Sequence, residues 1–170
     1  MLKYRVIRYI AYALETVALF VLQETPGLIP QVFGARPLLL IPAALSVALF
    51  EAEIPSMCFG LLGGLFLDFG AGGTLGFYGL LLGAVCYVVS LMAANLFRTN
   101  FLTAMLVSAV SSAVILLLRW LCFFVLFGYN YPGYALTAHY VPIFVYTAAV
   151  MPVTYYFNRA IALQICSKEE

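Results

Sequence analysis

The sequence predicts an all-α membrane protein, a polytopic bundle of about six transmembrane helices with both termini in the cytoplasm. Of the 170 residues, 65% are hydrophobic and only 9% are charged, whereas about 25% of a typical soluble domain is charged. The mean hydropathy is +1.07, and short polar connections separate the long apolar segments. Nothing divides the chain in two, so residues 1–170 are expected to form a single transmembrane domain.

The expected spans follow from the lengths of the apolar segments. A hydrocarbon core of about 30 Å requires roughly 20 apolar residues per helix. Four segments have or approach this length, and two shorter ones flank the acidic sequence Glu51-Ala52-Glu53. In chain order, the expected spans are residues 6–22, 38–50, 54–69, 75–97, 101–127 and 140–157.

Residues 38–69 allow two interpretations, two thin crossings or one re-entrant hairpin. A hairpin would place Glu51 and Glu53 inside the bilayer, at about 2.5 to 3.5 kcal/mol for each carboxylate. Two crossings leave both carboxylates in water, so we expect two crossings. Both interpretations return the chain to the same side, and the later topology is therefore the same.

The distribution of positive charge predicts the orientation. Arg36 falls on the outer side, whereas the N-terminal side collects Lys3, Arg5, Arg8, Arg98, Arg159 and Lys168. By the positive-inside rule, the N-terminal side is cytoplasmic. The first apolar run resembles a signal peptide, but no A-x-A cleavage site follows it, so we expect an uncleaved first helix.

The sequence offers no constellation for catalysis or for metal or cofactor binding. It contains a single Asp and none of the common hydrolase, metalloprotease or phosphate-loop motifs. The four cysteines are widely spaced and form no C-x-x-C pair. A net charge of +1 leaves no basic footprint for nucleic acid. We therefore expect a non-enzyme without a cofactor, surrounded by lipid.

Small residues mark the third and fourth spans as contact surfaces, because they let membrane helices approach closely. They recur at helical spacing, in the third span as Ser56, Gly60, Gly63 and Gly64, and in the fourth as Gly76, Gly79 and Gly83. Packing within the bundle is the favoured interpretation, and contact with a helix of another protein is the alternative.

Two ionisable residues lie deep in apolar spans, Glu15 in the first and Arg119 in the fifth. Both lie about 12 Å inside the outer boundary at 1.5 Å per residue. Because each alone would be costly, we predict an intramembrane ion pair between them. The alternatives are that Arg119 extends alone to the interface or that Glu15 faces a partner. The face that Arg119 shares with Ser108, Ser111, Ser112 and Ile115 is expected to point inward.

Asp68 ends the third span next to a glycine-rich turn, residues 70–76. An aspartate at such a position accepts hydrogen bonds from the backbone N–H groups that follow it. We therefore predict that Asp68 caps the turn and helps to begin the fourth helix.

These residues also carry a resemblance to a known family. The sequence from Gly60 to Asp68, the glycine-rich turn and the following Leu75-Gly76 resemble the central part of the MreD family. Its members are small polytopic rod shape-determining proteins of the bacterial cytoplasmic (inner) membrane. The resemblance implies a scaffold of the elongation machinery that controls cell shape through lateral peptidoglycan synthesis. The implied main partner is MreC, a single-span protein with a periplasmic domain. Further implied partners are a glycosyltransferase, a transpeptidase and the actin-like MreB filament.

The MreD family is similar in fold to the S-components of vitamin importers, which supplies an alternative function as a subunit that binds a small molecule. S-components resemble one another in having small residues at four-residue spacing on the first helix. Here every such pair includes a larger residue, in Ala11/Glu15, Ala13/Val17 and Ala18/Leu22. We therefore expect a scaffold rather than an importer subunit.

Overall fold

The computed structural model describes residues 2–25, 27, 37–71, 76–95, 100–125, 133 and 136–166. In these ranges the chain forms six α-helices, as predicted. They are α1 (Leu2–Glu24), α2 (Leu40–Phe50), α3 (Glu53–Ala71), α4 (Phe77–Asn95), α5 (Phe101–Trp120) and α6 (Val141–Cys166). A π-helical turn continues α5 through Leu121–Val125, and another, Leu136–Tyr140, leads into α6.

The helix boundaries lie close to the predicted ones except at α6. This helix continues nine residues beyond the predicted end at 157, because Asn158 and Arg159 interrupt the apolar run without ending the helix and apolar residues follow them. The predicted boundaries at Leu75, Phe97 and Phe127 lie outside the described residues, as do the cations Arg36, Arg98 and Lys168.

Successive helices run in opposite directions. The beginning of α1 meets the end of α2 where Arg8 contacts Glu51, and the end of α1 meets the beginning of α2 where Leu39 N–H donates to Gln23. We name the two ends of the bundle after Arg8 and Asp68. The Arg8 end also holds Ser90 of α4, whose hydroxyl donates to the Glu51 carbonyl. The acidic turn between α2 and α3 therefore lies at the Arg8 end.

Three of the described helical segments are long and apolar enough to cross a membrane, namely Arg5–Glu24, Phe77–Asn95 and Phe101–Phe123. α2 is equally apolar but has 11 residues. At 1.5 Å per residue it is about 16 Å long, short of the 30 Å hydrocarbon core. α2 is apolar around its whole circumference, and every residue from Leu40 to Leu49 is buried. A helix of this kind belongs inside a protein core, and α2 lies at the centre of the bundle against each of the other five helices.

The small residues of α3 and α4 are used in packing these two helices against each other. A Cβ added at Gly64 would overlap the backbone carbonyl of Tyr78, and one added at Gly83 would lie 2.8 Å from Leu61. Gly60 faces Cys86 and Gly79 faces Leu65 in the same interface. Ser56 is fully buried on α3. These positions therefore serve packing within the bundle and are not open to a partner helix.

Candidate functional site

The buried face of α1 is polar, and its exposed face is apolar. Arg8, Tyr12 and Glu15 point inward at helical spacing, whereas the residues that point outward include Val6, Ile10, Leu14, Val17 and Val21. Lipid accepts an apolar outer face, and interhelical hydrogen bonds join side-chain packing in holding such a helix to its bundle. We name the inward side chains and their partners the polar seam, which comprises Arg8, Tyr12, Glu15, Ser46, Glu51 and Asn158.

The seam begins at the Arg8 end with an ion pair between Arg8 and Glu51. Nε of Arg8 lies 2.5 Å from Oε1 of Glu51, and Nη2 donates to Oε2 at 3.0 Å. The pair thus combines one charge-assisted hydrogen bond with a second close contact between the opposite charges. Burial raises the pKa of the Glu51 carboxyl, and the adjacent Arg8 guanidinium opposes that rise. The pair fixes α1 to the turn between α2 and α3.

Tyr12 occupies the next position along the seam and is fully buried. Its ring packs edge-to-face on Phe59 of α3, with the ring centroids 5.8 Å apart. Its hydroxyl faces the Glu51 carboxyl but makes no hydrogen bond among the placed side chains. Tyr12 therefore combines an apolar contact with α3 and an available polar group inside the seam.

Glu15 and Asn158 join α1 to α6 in the middle of the bundle. Nδ2 of Asn158 donates to Oε1 of Glu15 at 3.1 Å, to Oγ of Ser46 at 2.6 Å and to the carbonyl of Thr154 at 3.1 Å. Glu15 is 8% exposed, and Asn158 and Ser46 are fully buried. One amide group thus connects α1, α2 and α6.

The predicted ion pair between Glu15 and Arg119 is wrong. Glu15 contacts Asn158, and the ion pair that forms within the described ranges is Arg8–Glu51. The physical reason is the lateral order of the helices, since α1 packs on α2, α3 and α6, whereas α5 packs mainly on α6, α2 and α4. Equal depth in the membrane does not make two helices neighbours.

Arg119 instead stacks on aromatic rings. Its guanidinium carbon lies 4.6 Å from the ring centroid of Tyr78 and 5.6 Å from that of Phe123, within the range of a cation–π interaction. The inward direction of the rest of that α5 face is confirmed, because Ser108, Ser111, Ser112 and Ile115 are all buried.

Asp68 joins α3 to α4 at the opposite end from Arg8. Its carboxylate accepts the N–H groups of Gly76, Tyr78 and Gly79, each at 3.0 Å. Gly76 has a φ of +98°, a conformation that glycine adopts readily. This is the geometry that the sequence predicts for Asp68, a carboxylate that satisfies the unpaired donors at the beginning of a helix.

The described core contains two narrow cavities. One of about 30 Å³ lies among Pro42, Ser108, Thr147 and their neighbours, and one of about 10 Å³ lies beside Val89. Volumes of this size hold a water molecule, whereas small-molecule pockets measure roughly 300 to 1,000 Å³. A wider groove of about 600 Å³ opens at the Arg8 end, lined by residues 49–55 and by Ser90, Ala93 and Ala94.

The described residues also bear on metal binding and on the cysteines. They bring together no group of three His, Cys, Asp or Glu side chains that would hold a metal ion. Cys58, Cys86 and Cys122 are free thiols, in agreement with their wide spacing in the sequence.

The sequence does not predict the role of Asn158 or the pairing of Arg8 with Glu51. Arg8 counts there toward the charge bias that predicts orientation, and Asn158 lies one residue beyond the predicted sixth span. The available signal was the helical spacing of Arg8, Tyr12 and Glu15, which places three polar groups on one face of an apolar helix.

A scan against models of protein families, a search of curated proteins and a search of solved structures found no match to this chain.

Proposed function

We propose that this chain is a non-enzymatic membrane scaffold of the MreD type, acting in the bacterial cell-elongation machinery. The observation that carries the proposal is the α3–α4 hairpin. The residues that resemble the MreD pattern form one structural unit there, with Gly60 and Gly64 in the helix contact and Asp68 holding the beginning of α4. The residues of the pattern thus serve to pack and join two helices, which is a structural role of the kind expected in a scaffold.

The proposed topology has six crossings of the bacterial inner membrane with both termini cytoplasmic. The alternating helix directions support it, as does the position of Glu51 at the Arg8 end rather than halfway along the bundle. Arg5, Arg8 and Arg159 lie in the half of the bundle nearer the Arg8 end, which makes this the cytoplasmic side by the positive-inside rule.

The proposed main partner is the membrane helix of an MreC-like protein, with the wall-synthesising glycosyltransferase, the transpeptidase and MreB as further contacts. The glycines of α3 and α4 already pack on each other, so we assign such a helix to an outward apolar face, that of α1 or of α5. The α5 face is a continuous apolar stripe at helical spacing, consisting of Leu102, Leu106, Val110, Val114, Leu117 and Leu121.

A scaffold is favoured over a vitamin-importer subunit by the first helix, where every pair at four-residue spacing includes a larger residue, and by the position of the wider groove. The wider groove lies at the Arg8 end, which is cytoplasmic in the proposed orientation, whereas an importer subunit captures its ligand from outside.

Site-specific photo-cross-linking in the native membrane tests this proposal. A photoreactive residue replaces Leu14 on α1 or Val110 on α5, whose side chains are 69% and 62% exposed. We expect covalent capture of a single-span protein that has a periplasmic coiled coil. The matched control places the same residue at Ile115, which is fully buried, and should capture no partner.

Capture of lipid alone from both outward faces would contradict the scaffold proposal. A bound vitamin or an ATPase module recovered with the purified chain would favour the importer subunit instead.

A further inference from the structure

Glu15 is a carboxyl group in the interior of a membrane protein without a cation beside it. It lies near the middle of the apolar segment Arg5–Glu24 and is 8% exposed. Of the four described Arg side chains, Arg8 contacts the carboxylate of Glu51 and Arg119 the rings of Tyr78 and Phe123. Arg5 and Arg159 are exposed, and neither forms an ion pair with Glu15. An ionised carboxylate at this depth costs several kcal/mol, and one hydrogen bond from a neutral amide does not neutralise it.

The side-chain oxygen of Asn158, the residue that contacts Glu15, receives no hydrogen bond within the described part of the chain. Asn158 is fully buried, the two hydrogens of its Nδ2 are shared among three acceptors, and its Oδ1 has no donor among the described residues. A buried amide oxygen without a donor is unfavourable, and an ionised carboxylate offers no donor. A protonated carboxyl has one O–H to donate.

We propose that Glu15 is a membrane-embedded proton-binding site. The proton resides on the Glu15 carboxyl, which donates it to Oδ1 of Asn158 while Nδ2 of Asn158 donates to Oε1. The two side chains then form a cyclic acid–amide pair with both hydrogen bonds made. The ligand is a hydrogen ion, and its binding holds α1 to α6. This inference is independent of the proposed scaffold function.

The surroundings of Glu15 supply no other charge to compensate it. Within the described part of α2 and α6, its polar neighbours are Ser46 and Asn158, neither of which titrates. On α1 the adjacent titratable group is Tyr12, and beyond it lie Glu51 and Arg8, which neutralise each other. α3 contributes Phe59, which packs on Tyr12.

The first test measures thermal unfolding against pH in lipid nanodiscs, for the wild type and Glu15→Gln. The side-chain amide of a glutamine at position 15 can donate to Oδ1 of Asn158 at every pH, so E15Q keeps both hydrogen bonds of the cyclic pair. We expect E15Q to match the wild type at low pH. As the pH rises and Glu15 loses its proton, the wild type should lose stability relative to E15Q, because a folded state that holds a proton more tightly than the unfolded state is weakened by raising the pH.

If Glu15 is ionised at neutral pH, E15Q removes a charge-assisted hydrogen bond and should unfold at a lower temperature than the wild type at neutral pH, which would overturn the proposal. Glu51 is present in both proteins, so its effect on the pH dependence of unfolding cancels when the wild type is compared with E15Q.

Infrared spectroscopy of the wild type labelled with ¹³C-glutamate gives a readout that does not depend on the folding of a variant. We expect the carbonyl band of a protonated glutamate at neutral pH, and its retention in Glu51→Gln. Absence of the band, its loss in E51Q, or its loss when NaCl is added at constant pH would overturn the proposal, the last by showing a metal ion in place of the proton.

Discussion

At the scale of single residues, Asp68 and the Arg8–Glu51 pair make polar contacts at opposite ends of the bundle, away from the proposed proton site. Asp68 was predictable because its acceptors and donors lie within eleven residues of one another. The contacts of Arg8 with Glu51 and of Glu15 with Asn158 were not predictable, since the partners lie 43 and 143 residues away along the chain. A local pattern does not contain that information.

Replacing Asp68 by alanine is expected to lower the free energy of unfolding by about 2 kcal/mol, as three backbone donors lose their acceptor together. Asp68→Asn keeps one acceptor oxygen and should lose part of that amount. Thermal unfolding in detergent micelles measures both. The control is Glu53→Gln, which removes the charge of a partly exposed carboxylate in the first turn of α3. Equal losses for D68A and E53Q would show that the cap contributes nothing.

Replacing Arg8 by methionine is expected to cost about 3 kcal/mol, because it leaves the buried Glu51 carboxyl without its cation. Arg5→Met on the exposed side of the same helix is the matched control and should cost little. The double variant R8M/E51Q should recover much of the loss, which a double-mutant cycle measures. Additive losses in that cycle would contradict the pairing.

The same variant has a predicted pH dependence. Burial already raises the pKa of Glu51 and Arg8 opposes that rise, so removing Arg8 should raise the pKa further. A carboxyl with a raised folded-state pKa stabilises the protein while protonated and loses that contribution as the pH rises through the raised value. We expect R8M to lose stability faster than the wild type as the pH increases above 4.5, the usual value for a glutamate. Parallel stability curves would refute this.

At the scale of helices, α1 illustrates how a membrane helix inverts the rule for soluble proteins. Its buried side chains are polar and its exposed ones apolar, which is stable only where lipid replaces water. The helix itself was predictable from its length and hydropathy. Its neighbours were not, because hydropathy gives the depth of a residue and says nothing about which helix stands beside it. The error over Glu15 and Arg119 has this origin.

The α3–α4 contact allows a test with adjacent glycines. Gly64→Ala places a methyl group on the Tyr78 backbone and should cost about 2 kcal/mol as the helices separate. Gly63→Ala is the matched control, since its methyl group would meet Ala44 and Leu40 at ordinary contact distances of 3.8 Å, and we expect little loss. Equal unfolding temperatures for the two variants would argue against close packing at Gly64.

At the scale of the whole molecule, the two ends of the bundle should face opposite sides of the membrane. In a variant without the four native cysteines, Ala52→Cys at the Arg8 end and Gly133→Cys between α5 and α6 each add one exposed thiol. An impermeant maleimide should label Gly133→Cys in intact cells and Ala52→Cys only after permeabilisation. Labelling of both in intact cells would contradict the six-crossing topology.

The order of the helices along the chain also affects how the protein is made. The ribosome synthesises α1 first and α6 last. Glu15 in α1 therefore cannot form its hydrogen bond with Asn158 until 143 further residues have been made. Throughout synthesis, the first helix therefore resides in the translocation machinery or the bilayer while the Glu15 carboxyl at its centre lacks its hydrogen-bond partner. The contact forms only after the final helix has been inserted. A nascent chain that stops short of Asn158 should consequently be recognised as unfinished and degraded by membrane quality control.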